Sequence, residues 1–136
     1  MSVPLPVLYF DNPMGRIFAH PDGYALLRYQ AGHRTLADVH DFLVHTGRLL
    51  QHRRWLKFLS DQRQLTPFTE AERALILDYW QARHFTLGPT VGAVLAALDT
   101  AAHRSFVRVW DEAHGALRYR LFENEAEAAA WLVAQP

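Results

Sequence analysis

A carboxylate and a guanidinium, Asp61 and Arg63, come directly after an apolar segment at residues 55–59 that has the composition of a buried strand. Open α/β sheets place ligand and partner contacts at the carboxyl ends of such strands. Asp61 and Arg63 could face a ligand or partner there, with the amides of the next helix adding positive potential. In the simpler structural alternative, Asp61 accepts hydrogen bonds from loop amides and Arg63 pairs locally.

Two hydroxyl side chains, Thr66 and Thr69, lie in the loop that follows. Thr69 and Glu72 have the spacing of a capping box at the start of a helix. A phosphate added near this helix start would gain from the helix dipole, but capping alone accounts for Thr69.

Trp80 completes the candidate ligand- or partner-binding set of Asp61, Arg63, Thr66 and Thr69. It adjoins Tyr79, and neighbours on a helix diverge by about 100°. One of the two aromatic side chains is therefore available to line a groove or a dimer contact, with core packing as the alternative.

The residue pattern gives little indication of a metal site or of a catalytic nucleophile. Asp38, Asp41 and His45 lie on neighbouring helical turns, but opposite an apolar stripe, where a solvated polar face explains them. The chain has no cysteine, which excludes thiolate zinc sites and disulfides. Ser60 lacks the G-x-S-x-G context of a hydrolase. We expect no catalytic residue, metal or cofactor, with an enzyme on the loop after Asp61 as a remote alternative.

Composition narrows the class of protein further. A chain of 136 residues fits one domain. Fourteen basic and fourteen acidic residues cancel, which argues against a nucleic-acid partner and permits homodimerisation. The N-terminus lacks the pattern of a signal peptide, and the longest apolar run is far shorter than the roughly 20 residues of a membrane span. These features predict a cytoplasmic protein without a membrane span.

The first half of the chain predicts three strands and a helix that lead to Asp61. Residues 7–10, 16–20 and 24–30 have strand composition, and Pro21-Asp22-Gly23 has hairpin-turn chemistry. Thr35 and Asp38 form a capping pattern for a helix that ends near residues 52–54. Residues 55–61 then read as a strand that is apolar on both faces and therefore central.

The second half predicts alternating helices and strands. Thr69 begins a helix to about residue 84, and Asn124 with Glu127 caps the last one. Between them, residues 91–98 suit a buried strand or a helix, and their position between two helices favours the strand. Residues 100–112 favour a helix before a final strand at 117–122. A hairpin of 106–110 with 117–122 across residues 111–115 is the competing prediction.

The resulting order, β-β-β-α-β-α-β-α-β-α, predicts an α/β fold: a mixed sheet with an initial hairpin, covered by about four helices. Together with the strings FLSDQRQLTPFTEAE (58–72) and YRLFENEAEAAAWL (119–132), this order resembles the STAS-like (SpoIIAA-like) domains and the lipid-binding domains of CRAL-TRIO type. In the anti-sigma-factor antagonists of that family, a serine or threonine in an Asp-Ser-Ser-Gly-like turn is phosphorylated by a partner kinase. The loop after Asp61 has no Ser-Gly pair, so that phosphosite is not carried over.

The resemblance and the missing catalytic constellation lead to one main functional hypothesis. The chain is expected to be a non-enzymatic interaction or regulatory module of the bacterial cytoplasm that binds a protein partner or a second copy of itself. The alternative is a carrier or sensor of a small apolar, lipid-like ligand, which the lipid-binding side of the resemblance and the 12% aromatic content suggest.

Overall fold

The computed structural model describes residues 4–87, 90–112 and 117–136 and confirms the predicted order of elements in these ranges. The strands are β1 (Val7–Asn12), β2 (Gly15–His20), β3 (Tyr24–Tyr29), β4 (Lys57–Asp61), β5 (Thr90–Leu95) and β6 (Leu117–Phe122). The helices are α1 (Leu36–Arg53), α2 (Glu70–Leu87), α3 (Thr100–Glu112) and α4 (Glu125–Ala134). No helix in the described part of the chain is long and apolar enough to cross a membrane.

The strands form one six-stranded mixed sheet whose spatial order follows the chain, from β1 at one edge to β6 at the other. β1, β2 and β3 are antiparallel neighbours, whereas β3, β4, β5 and β6 run parallel. Each of the connections β3–β4, β4–β5 and β5–β6 adds the next strand on the same side of the one before. Because such parallel connections are almost always right-handed, their helices α1, α2 and α3 lie on the same face of the sheet. Their buried residues share one core cluster, while those of α4 pack in a separate cluster on the opposite face.

The helix ends follow the predicted capping patterns. The Thr35 hydroxyl accepts from the Asp38 amide at 3.1 Å, and the Asp38 carboxylate accepts from the Thr35 amide at 2.8 Å. α1 ends at Arg54, which adopts the left-handed conformation with φ 59°. Asn124 caps α4 by accepting from the Glu127 amide at 3.0 Å. These local bonds satisfy orphan amides and fix where each helix begins.

Two ambiguous segments are resolved. β5 is a strand, but it ends at Leu95 rather than at residue 98. The competing hairpin through residues 106–110 is wrong, because this segment lies inside α3. α3 buries its apolar side chains at helical spacing, and the Asp99 carboxylate caps it by accepting from the Ala102 amide at 2.9 Å. The turn proposed for that hairpin falls partly outside the described residues.

Gly92 lets an aromatic ring lie directly on the sheet. A Cβ atom there would sit 2.5 Å from Cζ of Phe58, whose side chain is fully buried in β4. We expect Gly92→Ala to lower the free energy of unfolding by about 1–2 kcal/mol, because a close-packed core does not absorb an added methyl group. Urea unfolding measures this loss. The matched control is the Phe58→Leu background, in which the same methyl group should cost less. An equal loss in both backgrounds would contradict the contact.

Candidate functional site

Four charged side chains meet at the carboxyl end of the parallel strands, on the face that carries α4. Arg28 at the end of β3 and Asp61 at the end of β4 are directly paired in the strand register. Arg63 follows in the loop, and Glu125 begins α4. We call Arg28, Asp61, Arg63 and Glu125 the edge cluster.

The Asp61 carboxylate lies at the centre of this cluster. Its Oδ1 accepts from the backbone amide of Arg63 at 3.2 Å and from Nε of Arg63 at 2.9 Å. Its Oδ2 accepts from Nη2 of Arg63 and from Nη1 of Arg28, both at 2.8 Å. The local pairing of Asp61 and Arg63 that the sequence suggested as the structural alternative is therefore present.

Arg28 links the sheet to α4. It donates from Nη1 to Oε1 of Glu125 at 2.6 Å and from Nη2 to Oε2 at 3.3 Å. Nη2 of Arg63 lies 3.6 Å from the same carboxylate. Two guanidinium groups thus face two carboxylates. The edge cluster has no net charge, and its four side chains pair with one another.

This arrangement holds Asp61 in its ionised form. Burial alone would raise the pKa of Asp61, but hydrogen bonds from Arg63, its charge and a hydrogen bond from Arg28 outweigh burial and lower the pKa. A carboxylate with a lowered pKa has no proton to donate near neutral pH and is a weak base, whereas a general acid or base works best with a pKa near the working pH.

Thr66 and Thr69 lie on the other side of the same loop, around a buried ion pair. Nε of Arg34 donates to Oε2 of Glu72 at 2.7 Å, and both side chains are less than one-tenth exposed. Nη2 of Arg34 also donates to the carbonyl of Thr66 at 3.1 Å. Thr69 and Glu72 form the predicted capping box, with their reciprocal bonds at 2.8 and 3.1 Å. The hydroxyl of Thr66 accepts from the amide of Gly32 at 3.2 Å.

The predicted site residues therefore fall into three places. Asp61 and Arg63 belong to the edge cluster, Thr66 and Thr69 surround the Arg34–Glu72 pair, and Trp80 lies in the core. The ring of Trp80 is 5.5 Å from that of Phe58 and its side chain is almost fully buried. The structure therefore confirms the alternative prediction for Trp80, which was packing in the core.

The charged partners Arg28, Arg34 and Glu125 come from distant elements and were not among the predicted site residues. Arg28 carries a recognisable signal, because it is the one charged residue in the strand β3 (Tyr24–Tyr29). Neither Arg34 nor Glu125 carries a signal that would identify its partner. Pairing across the sheet depends on strand register, which local sequence patterns do not encode.

The polar residues at the start of α1 make local contacts. Asp38 is the N3 residue of the capping box and accepts from the amide of Thr35, and Nδ1 of His45 lies 2.7 Å from the carbonyl oxygen of Asp41. The His45 ring also stacks on Phe10 of β1, with centroids 3.8 Å apart. Among the described residues, no three histidine or acidic side chains come together in an arrangement that could hold a metal ion.

No protein-family model, curated protein or solved structure matches the chain. The resemblance to STAS-like domains stays a prediction that rests on the residues quoted for it.

Proposed function

We propose that this chain is a non-enzymatic interaction module of the cytoplasm that binds an extended protein strand along β1. The observation that carries the proposal is the difference between the two edges of the sheet. β1 and β6 are both edge strands, and each is paired with one neighbour only. Edge strands offer unpaired backbone donors and acceptors to another strand, and natural proteins usually protect them with charged side chains.

β6 follows that rule and β1 does not. On β6, Arg118 and Arg120 are exposed. On β1, the exposed side chains are apolar for three consecutive positions: Val7, Leu8 and Tyr9, exposed by 66%, 52% and 43%. The charge of β1 first appears at Asp11. An apolar edge without charged side chains at these three positions suits strand addition, in which main-chain hydrogen bonds give affinity and alternate side chains give specificity.

A bulge in β1 limits the length of the bound strand. The register between β1 and β2 shifts between Leu8 and Phe10, so Tyr9 is the extra residue. Bulges twist an edge and interrupt regular pairing. We therefore propose a short partner strand, supplied by another protein. The test below would also reveal the other possible source of the strand, a second copy of this chain.

The edge cluster supports the non-enzymatic part of the proposal. Its guanidinium groups are occupied by Asp61 and Glu125, and the lowered pKa of Asp61 suits a structural ion pair better than proton transfer. The STAS-like resemblance agrees with an interaction role.

The cavity that the described residues enclose between the sheet and its three helices does not support the apolar-ligand alternative. The cavity enclosed there, which is lined by Phe42, Trp80 and Trp110 among others, measures about 10 Å³. That volume accommodates about one water molecule, whereas small-molecule sites have volumes of roughly 300–1,000 Å³.

We expect Leu8→Lys to abolish partner binding without loss of stability, because it places a charge on an exposed position of the β1 edge. The measurement is affinity capture with the tagged chain, followed by sedimentation equilibrium of the wild-type protein alone and with the captured partner. Leu56→Lys is the matched control, since Leu56 is 44% exposed and directly precedes β4, which β2 and β3 separate from β1. A partner retained by Leu8→Lys as well as by Leu56→Lys would overturn the proposal. A wild-type dimer that only Leu8→Lys dissociates would identify a second copy as the occupant.

A further inference from the structure

The small cavity between the sheet and α1, α2 and α3 has polar walls as well as apolar ones. Gln62, directly after β4, and Trp110, near the end of α3, both line it. Both side chains are more than nine-tenths buried. Oε1 of Gln62 and Nε1 of Trp110 have no hydrogen-bond partner, although each of these atoms is shielded from solvent.

A buried polar atom without a hydrogen-bond partner destabilises the fold, because it has lost its bonds to water and gained none in return. The pair at this cavity is complementary, since an amide oxygen accepts a hydrogen bond and an indole N–H donates one. The cavity volume of about 10 Å³ is the size that one water molecule needs. Water has the chemistry that both atoms lack in a partner, since it donates to an amide oxygen and accepts from an indole N–H.

Gln62 is held in position by its other bonds. Its backbone amide donates to the carbonyl of Leu95 at 3.1 Å, and its carbonyl accepts from the amide of Leu65 at 3.0 Å. Nε2 of its side chain donates to the hydroxyl of Ser60 at 3.1 Å. Because the Nε2 end of the amide is engaged with Ser60, Oε1 is the end left to bind a ligand.

We propose that this cavity is a binding site for a single internal water molecule that bridges Oε1 of Gln62 and Nε1 of Trp110. The water joins the carboxyl end of β4 to α3 by hydrogen bonds that the two side chains do not make directly. It is therefore part of the folded core, as buried waters with two to four polar partners generally are.

The test uses the Trp110 indole proton of the ¹⁵N-labelled full chain, assigned by its disappearance in Trp110→Phe. A bound internal water is expected to give a nuclear Overhauser effect to this proton with the sign of a long-lived contact. A crystal structure should place a water within roughly 2.7–3.2 Å of both atoms. The exposed-surface variant Leu56→Lys serves as the control and should leave the effect unchanged.

Gln62→Leu separates a bridging water from chance proximity, because it removes the acceptor while keeping a side chain of similar size. We expect the effect at Trp110 to be lost in this variant. Absence of both the effect and the density in the wild-type protein would overturn the proposal. Persistence of the full effect in Gln62→Leu would overturn the bridging geometry. The wild-type measurements alone decide the matter if Gln62→Leu does not fold.

Discussion

Replacing Glu72 by Gln is expected to lower the free energy of unfolding by about 3–5 kcal/mol. The side chains of Arg34 and Glu72 are 3% and 6% exposed, and they form two hydrogen bonds, at 2.7 and 3.0 Å. Neutralising the carboxylate leaves the guanidinium of Arg34 buried without an opposite charge. Urea unfolding at pH 7, followed by tryptophan fluorescence, measures the loss.

Glu70→Gln is the matched control for this prediction. Glu70 lies in the same helical turn and also pairs with an arginine, Arg73, but its side chain is 78% exposed. Exposed pairs contribute little, so the control should lose less than about 1 kcal/mol. Glutamine at position 72 can still accept the amide of Thr69 in the capping box, so the difference between the variants reports the buried charge. Equal losses in Glu70→Gln and Glu72→Gln would contradict the buried ion pair.

Asp61→Asn is expected to cost about 3 kcal/mol at pH 7. The asparagine keeps one acceptor but replaces Oδ2, which accepts from both Arg28 and Arg63, with an amide group. Two charge-assisted hydrogen bonds are lost, at about 1.5 kcal/mol or more each. Thermal or urea unfolding gives the value, and Asp41→Asn on the exposed side of α1 is the control. A loss no larger than that of Asp41→Asn would contradict the central position of Asp61.

The same variant should show a defined pH dependence. The folded-state pKa of Asp61 lies below the ordinary value of 3.8, so its ion pairs stabilise the fold above that pH. As pH falls through the folded-state pKa, the carboxylate takes up a proton and this contribution disappears. The difference in stability between wild type and Asp61→Asn should therefore be full at neutral pH and shrink below about pH 4. A difference that stays constant down to pH 3 would show that charge is not its source.

The order of elements was predictable because the signals that set it are local. Thr35 with Asp38 and Asn124 with Glu127 are capping pairs three residues apart, and both cap helices in the structure. The choice between helix and hairpin at residues 106–110 was harder. Its β-branched and aromatic residues favour a strand locally, and burial of one helical face of α3 decides the outcome.

The candidate site was predictable only where it is local. Asp61 and Arg63 are two residues apart, and they pair with each other as the structural alternative predicted. Arg28 is 33 residues from Asp61 and 97 from Glu125. These contacts exist because β3 and β4 align Arg28 with Asp61 and because α4 starts beside them. That alignment results from packing of the whole sheet, which a single sequence does not reveal.

The order of the strands has a consequence for synthesis on the ribosome. Because each strand is a neighbour of the one before it in the chain, the growing polypeptide can extend an existing sheet edge at every step. The three crossover helices cover their face as they emerge. The opposite face, with Leu26, Leu59 and Ala93, stays open until α4 has been made and Glu125 can engage Arg28. A nascent chain that stalls before α4 therefore exposes an apolar sheet face, the kind of surface that makes folding intermediates prone to aggregate.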